Sequence, residues 1–121
     1  MKRFATVLLL LVPLAFGFAS GQVEESDTIT IGVIQDLSGP TSVWGNAVAN
    51  GARLAVETIN AEGGVDGKEL ELKVYDVKLS PQEAITAYNR LVDQDRATAV
   101  VGPPISNIGL SIAPVAQSKG V

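Results

Sequence analysis

Polar and apolar positions along residues 28–121 repeat with two periods, one of about two residues and one near 3.6. "TITIGVI" (28–34) is apolar and rich in β-branched residues, which predicts a strand. From Gly45 to about Ala61 the pattern turns helical. Asn46, Asn50, Arg53, Glu57 and Asn60 form a wet stripe, and Val48, Ala52, Ala55, Val56 and Ile59 form the opposite, dry one. "EGGVDG" (62–67) stops this helix, with Gly63 or Gly64 free to take a left-handed cap conformation. "ELELKVYD" (69–76) alternates strictly and predicts a second strand. "SPQEAITAYNRLVDQD" (80–95) opens with a Ser N-cap and Pro81 at the first helical position. Ile85, Tyr88 and Val92, with Ala84 and Leu91, make its dry face. "TAVVG" (98–102) reads as a short, apolar, central strand. A third helix is expected from about Ser106, capped by Ser106 or Asn107 and ended early or kinked by Pro114.

Strands alternating with helices predict a three-layer α/β fold with a parallel sheet and right-handed crossovers. Glu69, Glu71 and Lys73 on one side of the second strand mark it as an edge, because a parallel strand covered on both faces is apolar throughout. The expected spatial order is 2-1-3. Ligands of such sheets bind at the carboxyl ends of the strands, near the switch point between strands one and three. Two loops meet there: "DLSGPTSVWGN" (36–46) and "GPPIS" (102–106). The first has loop composition and holds the only tryptophan of the chain. Trp44 can wall a ligand site from that loop, or plug the loop against its own helix.

The first 27 residues belong to a different regime. "MKRFATVLLLLVPLAFGFASGQ" places Lys2 and Arg3 before an uncharged apolar run from Phe4 to Ala19, with Gly17 and Ala19 as small residues for a peptidase. This predicts a secretory signal peptide (1–19) cleaved after Ala19, and a solvated leader (20–27). The run is short for a membrane span and is interrupted by Pro13, so no membrane partner is expected after cleavage. Losing Lys2 and Arg3 removes two positive charges and takes the formal net charge from −4 to −6. An acidic mature chain argues against nucleic acid as a partner.

The chain has no Cys and no His, which removes the usual zinc ligands, thiol nucleophiles and Ser–His catalysis. Asp36 and Asp76 end strands one and two, where α/β enzymes often hold carboxylates; both can equally cap turns. No acidic residue ends strand three, as a phosphotransfer receiver requires. No G-x-G-x-x-G follows strand one and no P-loop is present, so a nucleotide cofactor is not expected.

Taken in order, "LSGP", Trp44-Gly45, "NGARLAVETIN", "GGVDGKELEL", "YD", "PQEAITAYNRLV", "AVVGP", Ser106 and "IAPVAQSKGV" resemble the opening of the periplasmic branched-chain amino-acid-binding proteins. These are the type I solute-binding components of ABC importers. The resemblance covers residues 28–121. It implies two α/β lobes joined by a hinge, with the ligand trapped between them and an ABC permease as partner. This chain would supply the N-terminal part of the first lobe and stop at Val121, where a fourth strand is due. By the same resemblance Trp44 contacts the ligand side chain, Ser106 holds its carboxylate, and Pro104 and Ile105 line the same wall. No cofactor is implied. Where some members carry a disulfide, this chain has Leu79 and Ile105, an expected apolar contact. Trp44 stands where many members carry the smaller Tyr. Branches of the family for amides, urea and aromatic acids, and sensory receptor domains of the same fold, share these features.

Overall fold

A computed structural model describes residues 28–103 and 105–121. The expected signal peptide and leader lie outside the described residues, as does Pro104. Six elements follow in strict alternation: β1 (Thr28–Gln35), α1 (Ser42–Ala61), β2 (Glu69–Asp76), α2 (Pro81–Asp93), β3 (Ala99–Val101) and α3 (Ser106–Lys119).

The three strands form one all-parallel sheet in the order β2-β1-β3, as the charge pattern of the second strand requires. β1 and β2 pair along their full length, from Thr28 opposite Glu69 to Gln35 opposite Asp76. β3 pairs only from Ala99 to Val101, shorter than its apolar run suggested. It lies at an edge of this sheet, with Ala99 and Val101 exposed, and the central strand is β1.

The two faces of β1 carry separate cores. Ile34 is fully buried among Val77, Ala84, Ala87, Tyr88 and Leu91 of the β2–α2 segment and Ile108 and Ile112 of α3. Gly32 lies on that same face. A β-carbon there would come within 2.6 Å of a Leu91 methyl, so the missing side chain is what lets α2 approach. Leu79 and Ile105 both pack against this cluster. Val33 is buried on the opposite face, the side covered by α1 through Gly45 and Ala49.

Four expectations about residues in α1 and α3 are corrected. α1 begins at Ser42 rather than Gly45, so Trp44 belongs to a helix and not to the loop. The cause is upstream: the Asp36 carboxylate gathers the backbone N–H groups of Gly39 and Thr41, and the Thr41 carbonyl then accepts from Trp44 and Gly45. Asn60, assigned to the wet stripe, turns inward, donating to the Leu70 carbonyl and accepting from its N–H at 2.9 and 2.7 Å. α3 runs through Pro114 to Lys119. The rung that proline removes is the one to the Leu110 carbonyl, and Leu110 lies on the exposed side of the helix, 72% exposed. Ala55 of the expected dry stripe is also exposed.

The signals at the start of α2 and the end of α1 hold. Ser80 caps α2 by accepting from the Glu83 N–H, with Pro81 next to it. Gly63 and Gly64 both take positive φ after α1, and a β-carbon on Gly64 would meet the Lys68 carbonyl at 2.0 Å.

Candidate functional site

The carboxyl ends of β1 and β3 are adjacent, and each feeds a helix after a short connection. The connection after β1 is fixed by two carboxylates. Asp36 is 2% exposed and accepts from the Gly39 N–H at 2.7 Å, the Thr41 N–H at 2.8 Å and the Thr41 hydroxyl at 2.7 Å. Asp76, at the end of the neighbouring strand, accepts from the Leu37 N–H at 2.9 Å, the Ser38 hydroxyl at 2.5 Å and the Lys78 N–H at 3.0 Å. Asn46 reaches back from α1 to the carbonyls of Leu37 and Ser42. Every residue from Leu37 to Ser42 except Pro40 is therefore tied by at least one hydrogen bond.

Burial pushes the Asp36 carboxyl up, but the hydroxyl and N–H of Thr41 and the N–H of Gly39 outweigh it and hold the group below the ordinary carboxylate range. Asp76 behaves alike: burial raises it, and Ser38, Leu37 and Lys78 bring it below its usual value. Both strand-end carboxylates, weighed above as catalytic candidates, spend their lone pairs on local backbone and hydroxyl donors. For Asp36 the signal in the sequence is an Asp at a strand end followed by Ser, Gly and Thr, residues that a carboxylate gathers into a turn; Asp76 shows only an Asp at a strand end.

This scaffold sets Trp44. It is the third residue of α1 and 64% exposed, with Val43 beside it 80% exposed. Gly45, next in line, is buried against the end of β1.

The second connection leaves the sheet at Gly102. Pro103 and Pro104 have no N–H, so neither can extend the ladder with β1. Ile105 is the N-cap residue of α3, half-buried and extended, and offers no side-chain cap. Ser106 is the first helical residue and is exposed; contrary to expectation neither it nor Asn107 caps the helix. No acidic residue occupies the first turn of α1 or of α3; the Asp36 carboxylate sits at the N-cap of α1, while α3 has no carboxylate of its own at its positive end. Trp44, Ile105 and Ser106 thus share the carboxyl edge of the sheet; Pro104 lies outside the described residues. Among the described residues this edge is an open rim with no closed pocket and no cluster of metal-ligating side chains.

Gln35 belongs to no motif of the sequence. It is 1% exposed at the end of β1, and its amide donates to the Gly102 carbonyl at 2.6 Å. Its pairing with an apolar strand gave no signal beyond a polar residue at a strand end.

A profile of the periplasmic binding protein family matches residues 28–121. The chain is 34% identical over 116 residues to the Leu/Ile/Val-binding protein BraC3 of Rhizobium johnstonii, covering 96% of this chain and 31% of that protein. It is 32% identical over 122 residues to the leucine-specific-binding protein of Salmonella typhimurium, covering 100% of this chain and 32% of that one. Among solved structures, the branched-chain amino acid transporter substrate-binding protein LivJ of Streptococcus pneumoniae, in complex with isoleucine, superposes with a TM-score of 0.75 at 40% identity, over 78% of this chain and 27% of that chain. A type 1 periplasmic binding protein of Bordetella pertussis gives 0.72 at 32% identity, over 77% of this chain and 25% of that chain. The chain spans about a third of the length of the curated relatives it matches.

Proposed function

The chain belongs to the periplasmic binding protein family, and from that premise we propose that it forms the beginning of the first lobe of an extracytoplasmic protein that delivers branched-chain amino acids to an ABC importer. The whole site then includes a second lobe, and the importer's permease is the partner that receives the ligand. The periplasm is the location this reading requires, in keeping with the apolar leader of residues 1–19.

One observation carries the reading. The exposed Trp44 and the exposed Ser106 begin helices on neighbouring strand ends of one sheet edge. An apolar surface beside an unopposed helix N-terminus suits an amino acid, which has an apolar side chain and a carboxylate. The Ser106 hydroxyl adds a donor to the first amides of α3, and Ile105, with Pro104, lines the same wall in this reading. The relatives named for leucine, isoleucine and valine support that ligand class.

The test is a titration of the isotope-labelled chain followed by NMR. Millimolar L-leucine, L-isoleucine or L-valine is expected to shift the Trp44 indole and the amides from Ser106 to Gly109 together. Acetamide, urea and benzoate serve as parallel arms. A response to one of these and not to the amino acids assigns the chain to another branch. A response confined to residues away from Trp44 and Ser106 overturns the site.

A further inference from the structure

Adjacent residues at the end of β1 hold both walls of the proposed site. Asp36 fixes the turn that leads to Trp44. Gln35, the last residue of the strand, reaches across to the connection that leads to Ser106. We propose that Gln35 is a positioning residue for the ligand site: its side-chain amide holds the Gly102 carbonyl and so sets where α3 begins and how Ser106 is presented. This rests on the functional reading above for the ligand, and on geometry alone for the hold.

Three features carry it. First, the hydrogen-bonded ladder between β1 and β3 ends at Val33 and Val101. Pro103 and Pro104 offer no N–H to prolong it, so the Gln35 side chain supplies a rung that the backbone does not. Second, α3 lacks a side-chain cap: Ile105 caps only through its carbonyl, which accepts from Ile108 and Gly109. Ile105 and Ile108 anchor this turn by apolar packing alone, with no side-chain hydrogen bond to set its register, and the tie at Gly102 lies only four residues before Ser106. Third, the tie is an expensive way to fill the space. Gln35 is buried to 1% exposure, yet its Oε1 finds no donor among the described residues. A methionine has nearly the same shape and no orphaned acceptor, so stability alone favours it at this position. What methionine cannot do is hold the Gly102 carbonyl.

Gln35→Met therefore separates fold from site. In the wild-type chain, NMR should show one Gln35 side-chain amide proton protected from exchange, and Ser106→Ala should leave it so. In Gln35→Met the melting temperature should stay within about 4 °C of wild type, the shift that ~1 kcal/mol corresponds to. The amides of Ile108 and Gly109 should exchange about tenfold faster, while those of β1 and α2 keep their protection. On titration with L-leucine, the response of Ser106 should fall at least about threefold, and that of the Trp44 indole should persist. Loss of protection throughout the chain, or equal loss of both leucine responses, makes Gln35 a fold residue and overturns the proposal. An unprotected Gln35 side chain in the wild type, or unchanged exchange at Ile108 and Gly109 in the variant, overturns it as well. If wild type gives no leucine response, the functional reading falls, and the ligand-free exchange alone decides whether Gln35 holds the start of α3.

Discussion

Gly45 lies so close to the Asp36 carbonyl that a β-carbon on it would stand 1.9 Å from that oxygen. The first turn of α1 can meet the end of β1 only because residue 45 has no side chain. The obstructing atom is backbone one residue past the central strand, which the ladder with β2 holds as far as Gln35, so it has little room to yield. Gly45→Ala should cost about 3 kcal/mol or more, the upper end for overpacking a closed site. Gly51, two turns along the same helix, has nothing within 4 Å of its β-carbon position. Gly51→Ala should stabilise by about 0.5–1 kcal/mol through the helix preference for alanine. Urea midpoints for the two variants should move in opposite directions.

Acid should loosen the rim before it unfolds the sheet. Asp36 and Asp76 both sit below the ordinary carboxylate value in the folded chain. Their charged forms are favoured by folding, so their contribution is complete above the unfolded value near pH 4 and is lost as pH falls through the lower, folded one. Protonation removes acceptors from Gly39, Thr41, Leu37 and Ser38. Trp44 fluorescence should therefore change below about pH 4, at or ahead of the far-ultraviolet circular dichroism signal. Asp36→Asn should make stability less dependent on acid while lowering it at neutral pH. A stability that rises steadily from pH 7 down to 3 contradicts this.

Asn60 should matter more than its place on a polar stripe suggests. Its amide bonds both backbone groups of Leu70 and so locks the last turn of α1 to the edge strand. Asn60→Ala leaves a half-buried N–H and carbonyl unpaired and should cost about 2 kcal/mol. Asn50, on the same stripe and exposed, accepts from the exposed Arg53, and Asn50→Ala should stay within about 0.5 kcal/mol of wild type. Thermal melts of the two variants separate the cases.

The contrast between Asn60 and Asn50 shows what was legible in the sequence. Periodicity reports which face of an element is apolar, and by that rule both residues are wet. It gave the six elements, the edge position of β2 and the 2-1-3 order, because alternation and charge are local properties. It could not report that Asn60 faces a strand ten residues on, since that depends on how the turn at Gly63 and Gly64 folds back. The start of α1 failed for the same reason. "DLSGPTSVWGN" has loop composition, yet the Asp36 carboxylate winds its second half into a helix through three hydrogen bonds. Gln35 was invisible because its partner, Gly102, lies 67 residues away. Pro114 misled because a proline costs a helix one donor, and here the lost rung falls at Leu110, on the exposed side of α3.

The chain alone should bind its amino acid only weakly. A small-molecule site typically buries 70–90% of its ligand, and the rim that carries Trp44 and Ser106 is open, with no closed pocket among the described residues. Trp44 itself is 64% exposed, so a ligand resting on it keeps one side in water. The charged hydrogen bond from Ser106 and the amides of α3 compete with solvent at an exposed position, where such bonds contribute about 1 kcal/mol net. Together with partial apolar contact this leaves a dissociation constant of about 1 mM or weaker, roughly 4 kcal/mol of binding free energy. Calorimetry at micromolar chain should show no saturable heat with L-leucine, and Ser106→Ala should reduce the millimolar NMR response without moving the melting temperature. Adding the rest of a two-lobe protein should tighten binding by orders of magnitude and quench or shift Trp44 fluorescence. Micromolar affinity in the isolated chain contradicts the half-site, and would require a ligand contact on some surface other than this rim.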